Sequence, residues 1–127
     1  MTAHAHDYDA VVRRYFEAWN ADGARARAGA VAEVWTADGR YTDPVSDATG
    51  HEAIGAVIAA VHERFPGFVF RRVGGVEGHH DTARFSWELV SGADGSAPVA
   101  GSDVITLDAG SRVRAVYGFL DRVPEGP

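Results

Sequence analysis

Residues 51–70, HEAIGAVIAAVHERFPGFVF, contain the change of pattern that decides the fold. Ile54, Val57, Ile58, Val61 and Phe65 recur at spacings of three and four, the apolar stripe of a helix. Pro66-Gly67 ends it, because proline cannot continue the hydrogen-bond ladder. Thr49, ahead of Gly50, is the expected N-cap, with His51 and Glu52 in the first turn. From Phe68 onward the period is two, and strands are expected over residues 68–77, 82–90, 98–107 and 112–120. Gly, Asp, Ser and His separate them, as in antiparallel hairpins. Gly74, Gly75 and Gly78 mark a bulge or sharp bend that lets the sheet curl.

Upstream, Tyr8, Val11, Val12, Tyr15, Phe16 and Trp19 form one helical face, with Asp7 placed to cap it and Asp22-Gly23 to end it. A second helix is expected over residues 24–35, presenting Ala28, Val31, Val34 and Trp35 inward until Asp38-Gly39 turns the chain. Residues 40–45 read as a short strand that meets Pro44. Helices followed by strands give an α+β architecture, three N-terminal helices packed on one face of a curved antiparallel sheet. Such a sheet makes a cone with an apolar interior, where any inward polar group is informative.

A chain of 127 residues, 46% hydrophobic and 24% charged, fits one domain spanning residues 1–127. The absence of cysteine excludes a disulfide scaffold, a cysteine-based zinc site and a thiol nucleophile. Twelve basic against 18 acidic residues, net −6, argue against a nucleic-acid partner, which needs a basic stripe. The longest apolar stretch, residues 54–61, is far short of the ~18 needed to span a bilayer. The first residues show no basic segment followed by an apolar one, so neither membrane nor export machinery is expected, and a cytoplasmic location is.

Asp103 is the sharpest polar signal. Alternation along residues 99–107 puts Val99, Asp103, Ile105 and Leu107 on one face and Ala100, Ser102, Val104 and Thr106 on the other. If the larger residues face inward, the carboxyl must pair or raise its pKa; if Ser102, Val104 and Thr106 face inward, it is solvated. Asp43 precedes Pro44, an ordinary turn start, but a strand entering the cone after the second helix would deliver it to the cavity mouth. Asp47 reads as a loop acid. Tyr15 is either a core residue or a phenol aimed into the cavity, where it would donate a hydrogen bond in a dry site. The histidines offer no metal spacing: His79-His80 reads as a hairpin turn, His4 and His6 as a frayed terminus, His51 as the start of a helix and His62 as surface. No phosphate loop, serine elbow or dinucleotide fingerprint is present.

The segments Ala10-Val11-Val12-Arg13-Arg14-Tyr15, Tyr41-Thr42-Asp43-Pro44-Val45, Val99-Ala100-Gly101-Ser102-Asp103 and Gly118-Phe119-Leu120-Asp121 give the chain, over nearly its whole length, a resemblance to a known group. It resembles the nuclear transport factor 2-like superfamily of cone-shaped α+β domains, most closely the ketosteroid isomerases and polyketide cyclases. The resemblance implies that Asp43 is a general base moving a proton beside a ketone, and that Tyr15 and a protonated Asp103 hydrogen-bond the dienolate oxygen. It implies no cofactor, a hydrophobic and polycyclic small-molecule ligand, and a homodimer through the outer sheet face, although Arg84, Ser86 and Glu88 make that face polar. Trp19, Phe85, Trp87, Tyr117 and Phe119 are expected to line the cavity. Related small epoxide hydrolases carry an Arg-x-Asp pair, but Gly101 stands where their guanidinium would be. A ligand-binding domain of the same fold without chemistry is the alternative from another class.

Overall fold

The Asp7 side chain accepts a hydrogen bond from the Ala10 amide at 3.0 Å and so starts α1 (Tyr8–Asn20), as its sequence position predicts. The structure, a computed structural model, describes residues 6–124. After α1 come α2 (Ala24–Val34), β1 (Trp35–Asp43), β2 (Ser46–Thr49), α3 (His51–Arg64), β3 (Phe68–His79), β4 (Thr82–Ser91), β5 (Val99–Leu107) and β6 (Val113–Arg122). The six strands form one curved, unclosed sheet in the order β2-β1-β6-β5-β4-β3. Among the described residues no helix is long and apolar enough to cross a membrane.

Three expectations are corrected. The sheet is mixed, since β1 runs parallel to β6 while every other pair is antiparallel. Trp35 takes extended backbone geometry and opens β1 instead of closing α2. Asp38-Gly39 therefore lies within the strand, at the irregularity between Trp35 and Arg40, where a side chain on Gly39 would collide with the Trp35 ring. Finally, Thr49 is the last residue of β2, and α3 starts from Gly50 without a side-chain cap; with φ at 89° that position favours glycine. The bulge expected in β3 is present between Val73 and Glu77, with Gly74 at φ 75°.

The core lies between the helices and the inner sheet face. Ile54 and Ile58 of α3 are fully buried, each contributing about 1.5–3 kcal/mol by area. Two polar ties fix the end of α1 over the sheet. The Asn20 amide pairs with both backbone groups of Phe70, and His62 of α3 hydrogen-bonds the Trp19 carbonyl at 2.6 Å, so His62 is a strut and not a surface residue. His6 is likewise buried, bonded to Ser111 and Asp81, whereas His4 lies outside the described residues.

Candidate active site

Along β5 burial alternates without interruption, so Val99, Gly101, Asp103, Ile105 and Leu107 all face the core. Asp103 is therefore inward, and only 3% of it is exposed. Burial pushes its carboxyl up to about 6. Interactions with Tyr15 and Trp87 oppose that rise, while the charges of Asp43 and Asp121 add to it.

Tyr15 reaches Asp103 from above. Its position on the buried face of α1 directs the phenol across the core, where it donates to Asp103 Oδ2 at 2.8 Å. Its own pKa is raised, by burial first and then by the Asp103 charge, so the phenol remains a donor. The third group comes from the sheet edge. Asp43, the last residue of β1, is half-buried; its Oδ1 accepts from the Val45 amide at 2.9 Å and its Oδ2 from the Tyr41 hydroxyl at 2.5 Å. Burial and the charges of Asp103 and Asp43 push the Tyr41 phenol upward, which keeps it protonated.

β6 joins the two acids. Gly118 is the register partner of Asp103, and its neighbour Tyr117 pairs in parallel with Thr42, the residue before Asp43. A side-chain carbon built on Gly118 would stand 2.9 Å from Asp103 Oδ1 and 3.3 Å from Asp43 Cβ. The structure thus brings Tyr15, Asp43 and Asp103 to one place, together with Tyr41, which the sequence reading missed. Tyr41 lies two residues before Asp43 and so on the same strand face, the one sequence signal that pointed to it.

A cavity of about 600 Å³ opens over these groups, lined by both acids, Tyr15, Tyr41, Trp19, Phe70, Trp87, Leu89 and Leu120, with Arg64 the one basic side chain in its wall. Its size and largely apolar wall suit a small hydrophobic ligand. Trp19 and Trp87 line it as expected; Phe85 lies behind it, packed edge-on against Tyr15 at 5.2 Å. Tyr117 and Phe119 do not line it: they are 40% and 59% exposed on the opposite face. The cause is a register shift, in which Leu107 pairs with Val113 but Thr106 with Ala115. Ala115 and Val116 are consequently both buried, and beyond them Gly118 and Leu120 face inward instead of Tyr117 and Phe119.

Trp87 occupies the space a side chain at position 101 would fill, since a carbon added to Gly101 would collide with the indole ring. The Trp19 indole N–H is buried with no hydrogen-bond partner among the described residues. No group of three His, Asp or Glu side chains among them is arranged to hold a metal.

Comparison with known proteins adds an independent line. A family model for the SnoaL-like domain matches residues 12–116. A SnoaL-like family protein from Agrobacterium tumefaciens strain C58, whose crystal structure is described as that of a candidate isomerase, is 36% identical, with 90% of this chain and 97% of that one covered and a TM-score of 0.85. A candidate SnoaL-like polyketide cyclase from Jannaschia sp. CCS1 is 20% identical over 99% of this chain and 100% of that one, with a TM-score of 0.74. A candidate polyketide cyclase from Sinorhizobium meliloti is 18% identical over 86% and 93%, with a TM-score of 0.67. These last two share the fold. No curated protein sequence matches the chain.

Proposed function

Because the chain belongs to the SnoaL-like family of the nuclear transport factor 2-like superfamily, we propose that it is a cofactor-independent, cytoplasmic enzyme that moves a proton beside a carbonyl of a hydrophobic, polycyclic ligand, as ketosteroid isomerases do. The observation that carries this reading is the placing of two carboxyl groups in unlike surroundings on either side of Gly118, at the wall of one apolar cavity.

In this reading Asp43 is the base. Its carboxylate takes the proton from the carbon next to the ketone, the C–H pair moves toward the carbonyl oxygen, and a dienolate forms. Asp43 then returns the proton two carbons along the conjugated system. The Tyr41 hydroxyl and the Val45 amide hold the carboxylate at a fixed angle during both transfers. Asp103 in its protonated form donates to the dienolate oxygen; a pKa of about 6 brings that form within reach near neutral pH, and a ligand that displaces water raises it further. Tyr15 donates to Asp103 and acts through it.

The test is turnover of β,γ-unsaturated steroid and polycyclic ketones. Asp43→Asn abolishes isomerisation and leaves binding of a phenolic steroid analogue intact. No turnover by the unmodified protein across that set retires the proposal. A cyclase begins with the same deprotonation and closes a carbon–carbon bond, so the structural likeness to candidate polyketide cyclases supports it as the second reading, recognised by a product with one more ring. A domain that only binds its ligand would bind the analogue and turn over none of the ketones.

We also propose that two copies pair through the outer sheet face. Val73, Ser86, Ser102 and Phe119 are successive register partners across β3, β4, β5 and β6, and Val104 and Tyr117 lie beside them. Exposed Phe119, Tyr117, Val73 and Val69 make this face more apolar than Arg84, Ser86 and Glu88 alone suggested.

A further inference from the structure

We propose that Gly118 is a positioning residue, whose missing side chain leaves the room in which the carboxyl groups of Asp43 and Asp103 face one end of the same ligand. The catalytic meaning rests on the reading above, but the geometry does not depend on it.

Glycine in the middle of a strand weakens a sheet, so its presence there calls for a cause. Backbone conformation is not that cause, because Gly118 is not among the residues with positive φ and an alanine there meets no backbone strain. Space is the cause. The first carbon of any side chain would stand 2.9 Å from Asp103 Oδ1, inside van der Waals contact, and 3.3 Å from Asp43 Cβ. Asp103 has little freedom to yield. Its Oδ2 is held by Tyr15 at 2.8 Å, and Trp87 fills the neighbouring space above Gly101. The closer contact is with the Asp103 oxygen, so a methyl group at position 118 turns the Asp103 carboxyl away from Tyr15.

The experiment follows the Asp103 carboxyl carbon by ¹³C NMR through a pH titration in the unmodified protein and in Gly118→Ala, with the signal assigned by Asp103→Asn. The charged and titratable groups that act on it are Tyr15 on α1, Tyr41 and Asp43 on β1 and, from the outer sheet face where it bonds Ser102, Asp121 on β6, with the Trp87 side chain on β4. With the Tyr15 hydrogen bond lost, the midpoint rises by about one pH unit or more, because that bond favours the charged form. Where the ketone is turned over, kcat falls tenfold or more while KM changes little, since the apolar wall is untouched.

A midpoint within about 0.3 units of the unmodified protein's overturns the proposal. If Gly118→Ala does not fold, Gly118→Ala with Asp103→Ala removes the oxygen the methyl meets. Recovery of folding then supports the proposal, and failure of the double variant overturns it. A shifted midpoint without turnover in either protein upholds the positioning role and counts against the isomerase reading; turnover with an unshifted midpoint does the reverse.

Discussion

Replacing Asp103 by asparagine should make the protein more stable at neutral pH, by an amount the structure sets. The carboxyl is 3% exposed, and its pKa stands at about 6 in the fold against an ordinary 3.8. The difference of roughly two units corresponds to about 3 kcal/mol at 1.36 kcal/mol per unit. Its sign follows from where the proton sits. The folded state binds the proton more tightly than the unfolded chain, so the contribution is fully present below about pH 4, where both states are protonated. It is lost as pH rises through about 6, where the folded state must bury a charge. Asparagine has nearly the same shape, stays neutral, and can accept the Tyr15 hydrogen bond through its amide oxygen. Urea unfolding of both proteins between about pH 3.5 and 7.5 gives the quantity wanted: the variant's stability relative to the unmodified protein rises by about 3 kcal/mol across that range, with titrations common to both cancelling. A difference flat to within about 0.5 kcal/mol, or one that moves the other way, refutes the claim that Asp103 is held in a dry site.

Tyr15→Phe removes the hydrogen bond that opposes the rise at Asp103, so the ¹³C midpoint of that carboxyl moves above about 6; a lower midpoint contradicts the assignment. Tyr41→Phe releases Asp43 Oδ2 and costs about 1 kcal/mol of stability and, where the ketone is turned over, lowers kcat more than it changes KM; a raised KM with kcat unchanged would place Tyr41 in ligand binding alone. Phe119→Glu puts a charge in the middle of the exposed outer stripe, and sedimentation velocity should find a monomer where the unmodified protein is a dimer. A monomeric unmodified protein ends the pairing proposal.

Much of this could be read from the sequence, and what could not has physical causes. The inward face of β5 was legible because alternation is local: Ile105 and Leu107 are both buried, and the same phase carries Asp103 with them. Tyr15 was legible as a buried phenol because the stripe of α1 is regular. The partner it finds is not a local property, since Asp103 lies 88 residues away. The cavity face of β6 was misread because its register shift changes the phase midway, and nothing in residues 113–116 announces it. β2 was missed because four residues after a proline carry too short a pattern to be seen as a strand. The crowding around Gly118 depends on two registers at once, one parallel and one antiparallel, and no single segment encodes it.

The parallel seam between β1 and β6 has a consequence for how the molecule assembles. Its pairs join residues 35–42 to residues 113–117, so this closure cannot form until most of the chain has been threaded into place. Asp43 rides on the far side of that seam, on a two-stranded edge whose sheet hydrogen bonds pass through β6 alone. The β1–β2 edge thus depends on that one seam, and on the burial of Trp35, Tyr41 and Ala48 in the core, to stay with β3 to β6. In the proposed reading the place of the base is set by how well this edge holds, and the protection of its amides against hydrogen exchange reports that directly.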